Sequence, residues 1–227
     1  MTLLTARSAA LWMAGMGVIS GVLSDLSLSL SVPHPLGLLD APIYPGLIFG
    51  LAIALGLYLF GKAGLPGAFL ALLITVIAWI AAFHGCILVY DALAVDSTVV
   101  YEPLPLDESG SIDREAALRL RDAVGSNLFA LTASLIAGGA IGAGGTALGA
   151  AVVAPARRPD AWLLTTFVGA VCAVALFAID TLIGAPPGYE FLALFVVWQA
   201  AVAASVGYGI AGNGNTERAS KAPKNRT

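Results

Sequence analysis

Five polar side chains stand inside long apolar runs or at their ends: Asp25, His84, Asp91, Asp180 and Gln199. Ionisable groups are costly within a bilayer, so a residue of this kind is a functional-site hypothesis until it is given another role. Carboxylates combined with imidazole can bind a cation, pass a proton or coordinate several divalent metals. These residues are therefore our candidate site for an ion, a small solute or a proton, and the identity of any metal stays open.

Three of these residues are predicted to reach one depth. Counting about 1.5 Å per residue from helix starts near residues 7, 67 and 161 places Asp25, His84 and Asp180 about 25 to 28 Å along their helices. His84 and Asp91 are seven residues apart and share a helix face. The functional hypothesis is an external vestibule. The alternative is that each side chain only lies at a helix end, in reach of headgroups and water.

Gln199 is the deepest of the five residues. It stands about ten residues into its apolar run, which places it near mid-membrane. An amide at that depth is expected to form a hydrogen bond to another helix.

The segments that carry these residues indicate an all-α integral membrane protein. The chain is 59% hydrophobic and 11% charged, with a mean hydropathy of +0.90, whereas soluble domains carry about 25% charged residues. Segment 67–90 has no Lys, Arg, Asp or Glu and is long enough to cross a bilayer. We predict one domain over residues 1–212, a loop over 91–125 and a tail over 213–227. The six predicted spans are 8–25, 44–61, 67–90, 126–154, 161–184 and 190–212.

The first predicted span, 8–25, has a second interpretation, which is a cleaved signal peptide. We prefer a retained span because the small-residue pattern before Asp25 is weak and because cleavage would leave an odd number of spans.

The basic residues predict the orientation. Eight of the eleven Lys and Arg residues fall on one side of the six predicted spans, and the other three lie in the loop 91–125. By the positive-inside rule both termini are cytoplasmic and this loop is extracytoplasmic. A multi-pass protein of a bacterial inner membrane is the expected location.

The fourth span is rich in glycine, with two pairs spaced four residues apart, Gly138 with Gly142 and Gly145 with Gly149. This spacing lets two helix backbones approach closely in lipid. We therefore predict that these are helix-packing glycines and that the fourth span is central and the most buried. The alternatives are a glycine-lined pore wall or a hinge.

Catalytic signatures are missing from the sequence. It has no Gly-x-Ser-x-Gly, no His-Glu-x-x-His, no phosphate-binding loop and no cysteine pair spaced for a metal. We expect no catalytic residues, no cofactor and no nucleic-acid partner.

Three functions are compatible with this pattern. The first is a small permease or channel-like protein for an ion or small solute. The second is a non-catalytic membrane subunit or scaffold, which would dock a partner through the loop 91–125 or the basic tail. An enzyme acting on lipid-linked substrates ranks third. The lipid bilayer is the expected environment, and a homo-oligomer or a larger membrane complex stays open.

Overall fold

The fold is described from a computed structural model. It covers residues 6–29, 42–94, 114–154, 159–183 and 192–211, and side chains are described for all of these except 29, 114–126, 159, 176–183 and 211. The predicted tail 213–227 and most of the predicted loop 91–125 lie outside these residues.

The described part of the chain is entirely helical, which confirms the all-α prediction for these residues. It has no strand, and its six helices are α1 (Ala6–Ser29), α2 (Ile43–Phe60), α3 (Leu65–Leu93), α4 (Arg114–Val153), α5 (Pro159–Ile183) and α6 (Leu192–Ala211).

Five of these helices are long and apolar enough to cross a membrane. The spanning segments are Ala6–Leu28, Ile43–Phe60, Leu65–Leu93, Asn127–Val153 and Leu192–Ile210. In α5 the segment with described side chains, Asp160–Ala175, is apolar but too short to cross alone. These helices fit an integral multi-pass membrane protein.

The helices form a closed ring in chain order. Each packs on the next, and α6 closes the ring by packing on α1. Neighbouring helices are antiparallel: Gly46 of α2 approaches Trp79 of α3, whereas Gly50, one turn later, approaches Leu72, which precedes Trp79. In addition to its ring neighbours, α6 contacts α2 and α4 across the ring.

The most buried of the five spans is α6. Within an 18-residue apolar stretch of each span, 50% of the residues are buried in α6, against 39% in α4 and 17% in α3. The prediction that the glycine-rich fourth span is the most buried is therefore wrong. Glycine lets α4 approach its neighbours closely, but it does not set how many neighbours surround the helix. Only α6 has four.

One helix is much longer than its predicted span. The span was predicted over 126–154, and α4 is continuous from Arg114 to Val153, 40 residues or about 60 Å. Residues 114–125 were predicted to lie in the loop 91–125. They are instead an extension of the membrane helix. The length of α4 is about twice the thickness of a hydrocarbon core. The helix must therefore project from the bilayer or tilt strongly.

Candidate functional site

The Gln199 side chain joins α6 to α1. Its Oε1 accepts a hydrogen bond from Ser20 Oγ, and its Nε2 donates to Ser24 Oγ at 3.0 Å. Gln199 and Ser24 are 0% exposed and Ser20 is 3% exposed. The interhelical hydrogen bond predicted for Gln199 is confirmed.

These hydroxyls differ from the other buried hydroxyls of the spans, which bond within their own helix. Thr75 Oγ1 donates to Ala71 O at 2.8 Å, for example, and Thr146 Oγ1 donates to Gly142 O at 2.8 Å. Thr165, Ser134 and Ser205 also donate to a carbonyl three or four residues earlier. A hydroxyl group that donates its hydrogen bond to a carbonyl of its own helix does not determine which helix packs beside it. The Ser20–Gln199–Ser24 group does, because its bonds form only when α1 and α6 are in register.

Two glycines bring α1 close enough for these bonds. A Cβ added to Gly17 would lie 2.6 Å from Ala200 Cα, and one added to Gly21 would lie 2.7 Å from Val196 N. These atoms belong to the α6 backbone, so the two backbones are in direct contact. This close contact between α1 and α6, which we call the α1–α6 seam, was not predicted from the sequence. Its signal was a face of small residues one helical turn apart, formed by Gly17, Ser20, Gly21 and Ser24.

Asp25 follows Ser24 on α1 and is buried, with 6% of its surface exposed. It lies within the membrane-spanning segment Ala6–Leu28. A carboxylate at a helix end that only met headgroups and water would be more exposed. Its burial beside the hydrogen-bonded group makes Asp25 the ionisable residue of this site with the strongest case for a function.

The other candidate residues lie on other helices. His84 is partly buried on α3, with its ring edge-on to Phe83 at 5.8 Å, and Asp91 is exposed on the same helix. The main packing partners of α3 are α2 and α4, whereas those of α1 are α2 and α6. His84 and Asp91 therefore belong to a different helix pair from Asp25. Asp180 lies in α5, and its side chain is outside the described set.

The part of the chain that the structure describes contains no group of three or more His, Cys, Asp and Glu residues placed to hold a metal ion.

The four paired glycines of α4 face α3, whereas Gly139 and Gly144 face α5. A Cβ on Gly138 would lie 3.2 Å from Ala82 O, one on Gly142 would lie 3.3 Å from Ala82 Cβ, and one on Gly149 would lie 3.1 Å from Ile74 Cγ2. At Gly145 the added Cβ would collide with Ala78 Cβ. This places α3 and α4 in close antiparallel contact along about three helical turns.

Aromatic rings of α2, α3 and α6 pack together in the core of the bundle. Trp198 of α6 lies 5.6 Å from the Phe49 ring of α2 and 6.4 Å from the Trp79 ring of α3. Trp79 in turn lies 5.7 Å from Phe195, also on α6. The Trp198 indole donates from Nε1 to Gly169 O of α5 at 3.0 Å. We call Phe49, Trp79, Phe195 and Trp198 the aromatic cluster.

A small cavity lies between α4, α5 and α6. Its volume is about 30 Å³ and its walls include Ala150, Trp162, Thr165, Ser205 and Gly209. This is the share of liquid volume of about one water molecule. A cavity of this volume has room for water and is too small for a larger solute.

Comparison with known proteins gives no match. No protein-family model, no curated protein and no solved structure is significantly similar to this chain. The function is therefore inferred from the geometry of the site.

Proposed function

We propose that this protein is a small permease or channel-like protein that moves a proton or another small cation across a membrane. The observation that carries the proposal is the buried Asp25 carboxyl group, next to the buried Ser20–Gln199–Ser24 group and inside an apolar helix. A carboxyl group at that depth can exchange a proton or bind a cation, because it is surrounded by protein and not by lipid.

The proposed topology has six spans, with α5 crossing the membrane as well. Both termini are cytoplasmic, and the segment between α3 and α4 is extracytoplasmic. A bacterial inner membrane is the proposed location. The basic residues of the sequence support this orientation through the positive-inside rule.

His84, Asp91 and Asp180 are proposed to line the outer entrance to the site. All three residues lie in the second half of helices that run in the same direction as α1. Asp25 also lies in the second half of its helix. In this arrangement a cation would meet these three residues and Asp25 near the outer ends of their helices, and Gln199 deeper in the membrane.

The test uses proteoliposomes that contain the pH dye pyranine. A potassium gradient with valinomycin sets the voltage. Pyranine fluorescence reports the rate of proton entry, and the rate of sodium entry is measured as uptake of radioactive sodium. We expect entry above that of protein-free liposomes, and we expect Asp25→Asn to reduce it at least tenfold. Asp160→Asn is the matched control, because it makes the same change at an exposed aspartate at the start of α5.

The outcomes separate the two leading functions. Equal entry in the wild type and in Asp25→Asn would contradict the assignment of this residue. No entry of either cation in correctly folded wild-type protein would contradict transport, and a scaffold would then be the better hypothesis. Asp180→Asn and His84→Gln in the same assay test whether the entrance includes these two residues.

A further inference from the structure

The exposed tryptophan and tyrosine side chains of the described residues lie at one end of the bundle. They are Trp12, Tyr58, Trp162 and Tyr208. The two tryptophans follow the starts of α1 and α5, and the two tyrosines precede the ends of α2 and α6. Because neighbouring helices are antiparallel, these positions are at the same end. Exposed Trp and Tyr gather where a membrane meets water, so this end of the bundle lies at a membrane interface.

Two exposed basic side chains lie at the same end, Arg7 in the first turn of α1 and Lys62 after the end of α2. A Cβ added to Gly61 would lie 3.1 Å from Ile210 Cγ2, so Lys62 is also near the end of α6. Asp160 is exposed at the start of α5. Basic side chains just beyond an aromatic belt face the headgroup layer, where anionic lipids attract them.

The exposed residues of α1 next to the α1–α6 seam form one continuous face. They recur every three or four residues, the spacing of one helix face, and are Arg7, Leu11, Gly15, Val18 and Val22. No atom lies within 4 Å of a Cβ added to Gly15, so no side chain fills the surface there. Met13 lies on the other side of the seam glycines, buried against Gly56 of α2. The exposed face is therefore on the outer side of the seam.

Helix α6 forms the other wall of an outer groove along this seam. Val197 and Tyr208 are exposed, and the residues between them on the same face are alanines. The backbone contacts of the seam place Tyr208 within one turn of the level of Arg7, and Val197 within one turn of the level of Val18. The outer groove is therefore about 16 Å long. One leaflet of a bilayer has about 15 Å of hydrocarbon, so the outer groove matches the depth of one leaflet.

We propose that the outer groove binds a phospholipid with an anionic headgroup. The phosphate lies at Arg7 and Tyr208, and one acyl chain follows Leu11 and Gly15. A guanidinium group presents several donors to phosphate oxygens, and a phenol hydroxyl can donate one more hydrogen bond. The proposal does not depend on transport. It adds a lipid partner on the outer side of the helix pair whose inner side holds Gln199.

The test counts bound lipids by native mass spectrometry of the protein in detergent micelles. Wild type, Arg7→Gln and Lys62→Gln are titrated with phosphatidylglycerol and, separately, with phosphatidylcholine of the same acyl chains. We expect the wild type to prefer phosphatidylglycerol, and Arg7→Gln to weaken its binding about fivefold, the effect of one basic residue near anionic lipid. Lys62→Gln is the matched control, because it removes the other described basic side chain at this end, outside the groove. It should leave the affinity unchanged.

A second variant tests the acyl-chain part of the groove. Gly15→Leu places a side chain in open space on the outer surface, so the protein should fold normally. It should weaken the binding of both lipids, because the leucine would occupy the space of the acyl chain.

Each outcome decides the proposal. Equal affinity of the wild type for the two lipids, unchanged phosphatidylglycerol binding in Arg7→Gln, or an equal loss in Lys62→Gln would overturn the headgroup site. Unchanged binding in Gly15→Leu would overturn the groove. None of these measurements requires cation entry, so the lipid site and the proposed transport function can fail separately.

Discussion

At the scale of single residues, the most informative side chain is Gln199. An amide inside an apolar helix needs partners, and lipid offers none. The sequence alone indicated that Gln199 bonds to another helix, because no other uncharged polar side chain of this size lies as deep. It did not identify Ser20 and Ser24 as partners. Serine is common in membrane helices and usually bonds to its own backbone, so its presence on α1 carried no information about α6.

The first prediction concerns the strength of this contact. In a double-mutant cycle, Ser24→Ala and Gln199→Leu should show a coupling energy of about 0.6 to 1.7 kcal/mol, the range for hydrogen bonds between membrane helices. The free energy of unfolding of each variant is measured by denaturant titration in detergent micelles. Thr75→Ala replaces Ser24→Ala in the control cycle. Thr75 bonds to its own helix, so its coupling to Gln199 should be close to zero. Equal coupling in both cycles would contradict the assignment.

At the scale of helices, close approach and not hydrophobicity decides which elements pair. In lipid an apolar side chain gains little by choosing protein over acyl chains, so helix association depends on packing and hydrogen bonds. The glycine spacing of α4 was visible in the sequence, but the helix that it faces was not. The same spacing occurs in α1 at Gly17 and Gly21, but it was not predicted to be a contact. Gly15 lies in the same short stretch, and of Gly15 and Gly17 only Gly17 meets α6.

The second prediction uses these two glycines as a matched pair. Gly17→Ala should lower the stability of the folded protein, because the added Cβ would collide with the α6 backbone, and overpacking of this kind costs about 1 to 3 kcal/mol. Gly15→Ala should be neutral or stabilising, because no atom lies within 4 Å of its added Cβ and alanine favours a helix by about 1 kcal/mol. Thermal unfolding in micelles measures both. A loss of stability in both variants would argue against the α1–α6 seam.

At the scale of the whole molecule, the number of membrane crossings decides which segments face the same side. Three helices, α4, α5 and α6, separate the segment 95–113 from the tail. If all three cross the membrane, the two segments lie on opposite sides. If α5 does not cross, they lie on the same side.

The third prediction follows from this parity. In a background without Cys86 and Cys172, Ser109→Cys should react with a membrane-impermeant maleimide on intact cells. Ser220→Cys should react only after the membrane is permeabilised. Thr2→Cys should behave like Ser220→Cys, because both termini are proposed to be cytoplasmic. Labelling of positions 109 and 220 from one side would show that α5 does not span, and would require a new topology.

The sequence by itself determined that this is a helical membrane protein and where most of its helices lie. Those properties are local: an apolar run of about 20 residues crosses a bilayer whatever surrounds it. Only the tertiary structure decided which faces meet. The pairing of Ser20 and Ser24 with Gln199, the seam at Gly17, the burial of α6 against four other helices and the aromatic cluster around Trp198 all depend on residues far apart in the chain. Because lipid and protein are nearly equivalent surroundings for an apolar side chain, hydrophobicity cannot indicate these contacts, and shape and hydrogen bonding between distant helices decide them.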